Sequence, residues 1–426
     1  MVNYTLQNNK EFKQSFYNDF MSLSVLLNDG MDKEGLDFFA EKNIQVDQTK
    51  RDAEELVKVA GNYDGICVRS ATKITKEIIE AGVKGKLKVI GRAGVGYDNI
   101  DVKSASENGI AVKIAPNGNT NSTAELALAL MFATARNIPQ ANNSLKTGKW
   151  IKKPFSGTEL SGKTLGILGC GRIGQRLSEM VSGLNMKVLG YDVRAEEVKR
   201  LYPHSRIEYI DQWNLLMDSD FISVHAGGKD EVIGEKELAV MKPTAILINA
   251  ARGSNVDNDA LYTALLDNQI LGAGLDTYPK EPKKEGEDIT DSMKKLASLE
   301  NVVMTTHLGA STKEAQKLTS VEMAKVISSY LLGTEDSFES SVNLKATVET
   351  EKRMVYPLHI YHKDSPGAFL EIDRILKNNV VNIRDNPSRQ MEEGKAMTIY
   401  RIHQEPTEKV IEELNNLKEV VKWAKR

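Results

Sequence analysis

Short apolar runs alternate with longer mixed segments over most of this chain. The first group is LSVLLNDG (23–30), GICVRSAT (65–72), LKVIGRAGVGYDNID (87–101) and IAVKIAPNGN (110–119), each closed on or near Gly, Asn or Asp. Apolar runs of this kind, bounded by turn residues, predict buried parallel strands, and the segments between them supply the crossover helices. Thr123–Arg136 (TAELALALMFATAR) is dense in Ala and Leu and predicts a long buried helix. WIKKPFSGTEL (150–160) predicts a loop. The alternation then restarts at Lys163 with KTLGILG, MKVLGYD, DFISVHAGG, TAILINAARG, ILGAGLDTY and NVVMTTHLGAST. Six such strands with helices between them make a complete doubly wound set.

A helix is expected from Thr312 to Leu332, ending at Gly333, and the polar stretch 334–352 reads as a linker. The last block reads as strand (354–364), helix (366–379), two strands (380–390 and 396–404) and a final helix (406–426). That β-α-β-β-α pattern suits a small ferredoxin-like domain. Residues 1–22 are polar and aromatic without periodicity and read as an extension.

What closes the strands of the second group matters most. Gly169 ends the first, Asp192 the second, His225 the third; Arg252 follows the fourth, Asp276 the fifth and His307 the sixth. Open parallel sheets bind ligands outside the carboxyl ends of their strands, so the chemically capable side chains collect where a ligand sits. Gly169, Gly171 and Gly174 form G-x-G-x-x-G between a strand and a helix. The first glycine makes the turn, the second lets backbone approach a pyrophosphate, and the third lets helix and strand pack closely. Asp192 closes the next strand, where an acid accepts hydrogen bonds from ribose hydroxyls and repels a 2′-phosphate, favouring NAD over NADP. Arg194 stands close by and weighs the other way. Arg252 can hold a carboxylate bidentately, and a carboxylate such as Glu281 beside His307 would orient the imidazole and raise its pKa.

Composition narrows the classes. The chain has 426 residues, a net charge of −3 and acids and bases intermixed, so neither a nucleic-acid groove nor a membrane surface is expected. No apolar run approaches the length of a span. Two cysteines, Cys67 and Cys170, fit a reducing cytoplasm, with Cys170 filling space between motif glycines. Six histidines show no metal-ligand spacing, so no metal is expected.

In order and spacing, VRSATKIT, IGRAGVGYDNID, APNGNTNSTAEL, GKTLGILGCGRIG, INAARG, GLDTYPKEP and THLGAST resemble the D-isomer-specific 2-hydroxyacid dehydrogenases. The resemblance covers roughly Leu23 to Gly333, plus the tail. It implies a discontinuous flavodoxin-like substrate domain (23–121 and 312–340), an inserted Rossmann NAD domain (122–311), a linker (341–352) and a C-terminal ACT domain (353–426). By the same resemblance Arg252 would bind the substrate carboxylate and polarise its C2 oxygen, His307 would be the general acid/base, and Glu281 its partner. Val95 and Gly96 would offer amides to the carboxylate, and Arg69, Ser70 and Asn119 would hold the phosphate end of 3-phosphoglycerate. Lys152 or Lys153 would add positive charge. Gly169, Gly171, Arg172, Ile173, Gly174, Asp192, His225, Ala250, Ala251, Asp276 and Gly309 would line NAD.

In the tail, His362, Asp364 and Asn382 would contact an L-serine effector across paired tails, although Asp364 stands where Asn is usual. A homodimer or homotetramer is implied. Three other departures stand out: HAGGKDEVIG in place of H-x-P, a longer charged segment at 280–295, and TTH for TPH. Two alternatives remain beside 3-phosphoglycerate oxidation. One is another 2-hydroxy acid such as glyoxylate, hydroxypyruvate, D-lactate or 2-hydroxyglutarate. The other is a co-repressor-like protein that senses NAD without turnover.

Overall fold

The structure, a computed structural model, describes residues 23–282, 286–334, 340–343, 356–363, 368–379, 383–385, 388–391, 395–402, 407–417 and 420–425. Two compact units divide the chain, Met1–Ala115 with Ser320–Arg426, and Pro116–Thr319.

The first unit carries a sheet of β1 (Ser24–Leu27), β2 (Gln45–Asp47), β3 (Gly65–Val68), β4 (Val89–Arg92) and β5 (Ala111–Ile114). All pairs are parallel, in the order β2-β1-β3-β4-β5, so the order reverses beside β1. Strand residues are buried on both faces because each face has its own helices to pack on. Leu26, Ile66, Ile90 and Val112 meet Ile74, Ile78 and Ile79 on one side. On the other, Val25, Leu27, Cys67, Val89 and Ala111 meet Met323, Ala324, Ile327 and Leu331 of the helix Lys313–Leu332. Three residues of edge strand with partly exposed polar ends made β2 invisible to pattern reading.

Within the stretch read as a linker, Ser341–Asn343 lie along the outer edge of β5. Ser341 bridges Lys113 antiparallel, Val342 N–H donates to Val112 O at 2.9 Å, and the Asn343 side chain accepts from Val112 N–H at 2.8 Å. Lys113 itself is fully buried, its ammonium bonded to Ser341 Oγ and 5.3 Å from the Tyr330 ring centroid. An edge strand with unpaired donors is thereby covered.

The second unit holds seven parallel strands: β6 (Thr164–Leu168), β7 (Lys187–Tyr191), β8 (Glu208–Tyr209), β9 (Phe221–Val224), β10 (Ile246–Asn249), β11 (Gly272–Leu275) and β12 (Val302–Met304). Their order is β12-β11-β10-β9-β6-β7-β8, with the reversal between β6 and β9. Six are the runs visible in the sequence; β8 is a two-residue edge. The Ala/Leu-rich segment is the helix Thr120–Ala135, whose Ala124, Ala127, Leu130 and Met131 pack on Leu165, Ile167 and Ile248.

The tail is an antiparallel sheet of β13 (Tyr356–Lys363), β14 (Ile383–Asp385), β15 (Ser388–Met391), β16 (Lys395–Ile402) and β17 (Val420–Lys425). β16 pairs with β13, β14 and β15, and β17 pairs with β13. Helices Ala368–Asn378 and Glu408–Asn415 supply Ile372, Ile375, Leu376, Val410 and Leu414 to a core with Ile360 and Tyr400. One expectation is corrected here. The last helix stops at Asn415 rather than running to the C-terminus, and Val420–Lys425 is a strand. Val420, Val421 and Trp423 favour extended backbone, and β13 offers them an open edge to pair with. No helix among the described residues is long and apolar enough to cross a membrane.

Candidate active site

At the reversal in the second sheet, β6 runs into Gly169, which takes a left-handed φ of 93°. A Cβ there would lie 2.6 Å from the Ala226 amide nitrogen, and one on Gly174 would lie 2.5 Å from Gly169 O. Both positions are closed by the protein itself. Gly171 differs: a Cβ would meet nothing within 4 Å, so the space beside it is open. Gly171 caps the helix Arg172–Val181, whose N-terminal amides favour an anion. Ile173 lies in the first turn of that helix and packs partly on the core beneath. Asp192, after β7, accepts from Cys170 N–H at 2.9 Å and from Arg194 N–H at 2.8 Å, so it fixes the loop it faces. Gln175 braces the same loop from below, donating to Cys170 O at 3.0 Å.

His225, after β9, bonds Ser223 Oγ through Nε2 at 2.9 Å. Burial pushes its pKa down to about 4, which keeps the imidazole neutral. Its Nδ1 is buried without a partner. An orphaned ring nitrogen and an open space at Gly171 fit a dinucleotide, whose hydroxyls and pyrophosphate would satisfy both.

The catalytic candidates converge on the next three strand ends. After β10, Asn249 shapes the Ala250–Ala251–Arg252 turn, accepting from Ala251 N–H at 3.1 Å and donating to Arg252 O at 2.9 Å. A Cβ on Gly253 would sit 1.8 Å from the Tyr278 carbonyl carbon, so only glycine lets this turn rest on the segment that carries Glu281. Glu281 Oε1 accepts from Tyr278 N–H at 3.2 Å. Its Oε2 lies 2.8 Å from His307 Nδ1.

Sequence reasoning could not show that contact; the structure makes it. The hydrogen bond to Glu281 raises the His307 pKa above its ordinary value; burial and the nearby Arg252 charge oppose the rise without cancelling it. Burial works to raise the Glu281 pKa, but His307, the Tyr278 amide and Arg252 outweigh it and hold the carboxyl below its usual range. Arg252 is therefore felt electrostatically by both members of the pair. With Nδ1 engaged, Nε2 is the His307 nitrogen left to exchange a proton.

Asp276, after β11, is fully buried and organises the His307 loop. One oxygen accepts from Leu308 N–H at 2.7 Å and Thr305 Oγ1–H at 2.6 Å, the other from Gly309 N–H at 2.9 Å. His307 sits in that loop with a left-handed φ of 59°, uncommon for a residue with a Cβ. Gly309 O is held in turn by Thr123 Oγ1 at 3.2 Å. Asn119 stands at the start of the helix Thr120–Ala135 with its Oδ1 buried and unpartnered. Lys152 and Lys153 are exposed, Lys153 opening a short 3-10 turn.

In the first unit, Arg69 and Ser70 form the turn after β3, and Val95 and Gly96 follow β4. His362 lies in β13, 1% exposed; Asp364 and Asn382 fall outside the described residues. Among the described residues no group of three or more His, Cys, Asp or Glu gathers to hold a metal ion. The supporting residues Asn249, Gln175 and Thr305 were not singled out by pattern reading. Asn249 and Thr305 carried a signal, being polar residues at strand ends.

Residues 128–309 match the family model for the NAD-binding domain of D-isomer-specific 2-hydroxyacid dehydrogenases. A D-3-phosphoglycerate dehydrogenase from Synechocystis sp. is 42% identical over 326 residues, 74% of this chain and 56% of that protein. This chain thus spans a little over half the length of that relative. A hydroxypyruvate reductase from Thermotoga maritima is 41% identical over 307 residues, 71% of this chain and 96% of that protein. A solved D-lactate dehydrogenase from Aquifex aeolicus, complexed with NAD and lactic acid, aligns with a TM-score of 0.64 at 27% identity. That alignment covers 76% of this chain and all of the other.

Proposed function

The chain belongs to the D-isomer-specific 2-hydroxyacid dehydrogenase family, and from that premise we propose that it is a D-3-phosphoglycerate dehydrogenase using NAD. The reaction is oxidation of 3-phosphoglycerate to 3-phosphohydroxypyruvate. The observation that carries the proposal is the Glu281–His307 contact at 2.8 Å under the charge of Arg252. When bound, NAD would supply the acceptor for the C2 hydride. Arg252 clamps the substrate carboxylate and polarises the C2 oxygen. His307 takes the C2 hydroxyl proton at Nε2, and Glu281 orients the ring and stabilises the imidazolium that forms. NAD is held by Gly169, Gly171, Arg172, Ile173, Gly174, Asp192, His225, Ala250, Ala251, Asp276 and Gly309 in this reading. Arg69, Ser70 and Asn119 take the phosphate, and the amides of Val95 and Gly96 take the carboxylate.

The same reading treats the five-stranded parallel sheet as a flavodoxin-like substrate domain and the seven-stranded one as a Rossmann domain. The tail is an ACT regulatory domain that responds to L-serine through His362, Asp364 and Asn382. The assembly is a homodimer or homotetramer in the cytoplasm.

A panel of 3-phosphoglycerate and unphosphorylated D-2-hydroxy acids, run with NAD and NADP and with and without serine, tests the substrate. Highest kcat/KM with 3-phosphoglycerate and NAD is expected. The match over 96% of a hydroxypyruvate reductase favours a second reading, in which that acid is preferred. No turnover of any acid, with NAD still bound, points to a sensor instead.

The raised His307 pKa sets a pH dependence. Oxidation needs neutral His307, so kcat/KM falls as pH drops through the raised value. Glu281→Gln removes the main cause of the rise. The acidic limb of the kcat/KM profile then moves to lower pH, and the maximal rate drops because the ring is less well oriented. An unmoved limb would show that another group titrates.

A further inference from the structure

A second braced turn lies in the first unit, at the ends of β1, β3 and β4. Asp29, two residues past β1, has a side chain only 5% exposed. Its Oδ2 accepts from Arg69 N–H at 2.7 Å and Thr72 N–H at 3.2 Å, and its Oδ1 accepts from Thr72 Oγ1–H at 2.6 Å. Lys50 Nζ pairs with Asp29 Oδ1 and donates to Thr72 Oγ1 at 2.8 Å. From the β4 side, Asn99 Nδ2 donates to Arg69 O at 2.7 Å and to Thr72 O at 2.6 Å. The turn is therefore clamped at both of its ends, by acceptors on one side and a donor on the other. Ser70 and Ala71 at its tip are exposed, and among the described residues their amides donate to no protein group. Burying a carboxylate is costly unless its hydrogen bonds repay it. Here they are all spent on one short turn and the lysine beside it.

We propose that Asp29 is a positioning residue for the phosphate end of the substrate, holding the Arg69–Thr72 turn so that Arg69 and the tip at Ser70 meet a phosphoryl group already in place. The inference rests on the substrate reading given above. Its physical content is preorganisation: a turn fixed before binding loses little freedom on binding, so its contacts appear in affinity. The effect belongs to phosphate recognition and leaves proton transfer at His307 alone.

Asp29→Asn in the full chain keeps the shape but turns one acceptor into a donor, so two of the four donors lose their acceptor whichever way the amide faces. KM for 3-phosphoglycerate is expected to rise about tenfold, the worth of one charge-assisted hydrogen bond. Over the same comparison kcat and the KM for NAD stay within about twofold, and preference over unphosphorylated acids falls by the tenfold factor. Asn99→Ala releases the other side of the turn and should shift the same constants in the same direction, which guards against poor folding of the first variant. A KM for 3-phosphoglycerate within twofold of wild type in both variants overturns the proposal. Equal losses with phosphorylated and unphosphorylated acids overturn it too, because they mark general structural damage. Wild-type chain that does not oxidise 3-phosphoglycerate at all is a different result: it overturns the substrate reading and removes this inference with it.

Discussion

In the proposed reaction, His307→Ala is expected to lower kcat for 3-phosphoglycerate oxidation by about a thousandfold, within the range that one positioned acid/base supplies. The reason is local. Glu281 holds Nδ1 at 2.8 Å, so the ring has one free nitrogen and a raised affinity for the proton it must accept. Alanine leaves water as the only base. Binding of NADH, followed by its fluorescence, should be unchanged within about twofold, because His307 is mainly a proton carrier in this reading. The side chains of His307 and Glu281 are 52% and 34% exposed, so unfolding is not the expected cause of the loss. Near-wild-type kcat at saturating substrate would remove His307 from the chemistry and return the family's reaction to some other base.

The second large effect falls on stability as well as rate. Asp276→Asn is expected to cost about 2–4 kcal/mol, because a fully buried carboxylate that accepts three hydrogen bonds becomes a group with one acceptor and one misplaced donor. For a unit of this size that corresponds to a fall in Tm of roughly 5–15 °C. Two of the three donors are backbone amides of Leu308 and Gly309, the residues that follow His307. Released from Asp276, the loop has less to hold His307 at φ 59°. A drop in kcat of at least about tenfold should accompany the lost stability. Thermal unfolding and steady-state kinetics on one preparation check both halves. An unchanged Tm would mean that the freed amides find water and that the buried site is more open than its geometry indicates.

The placement of the strand-end residues was legible because parallel sheets leave little choice. Once six strands alternate with helices, Asp192, Arg252, Asp276 and His307 must share one edge, and the second sheet has them there. Contacts between side chains were not legible. Glu281 and His307 are 26 residues apart, and Tyr278 ties their segments together, donating its N–H to Glu281 and its O–H to Thr305 O. The structural duty of Asp276 was hidden for a similar reason, since its partners are mostly backbone amides, which no residue type announces. Strands β2 and β8 escaped notice because two or three residues cannot show a period. Val420–Lys425 was misread because its mixture of lysines and apolar residues suits either element, and the edge of β13 decides the matter. Asp29 went unremarked because a turn-forming Asp after a strand is ordinary; its four hydrogen bonds, from Lys50, Arg69 and Thr72, are visible only in three dimensions.

Each of the two units contains one cysteine, Cys67 in the first and Cys170 in the second. They are 3% and 0% exposed, and burial pushes both thiols up to about 12. Neither offers a thiolate to an alkylating reagent while its unit is closed. Modification therefore measures opening rather than surface reactivity, and peptide mapping separates the two sites. The chain carries a built-in chemical stopwatch for each unit, with no engineered label required. Timed alkylation with and without NAD or a 2-hydroxy acid would then report which unit each ligand keeps shut.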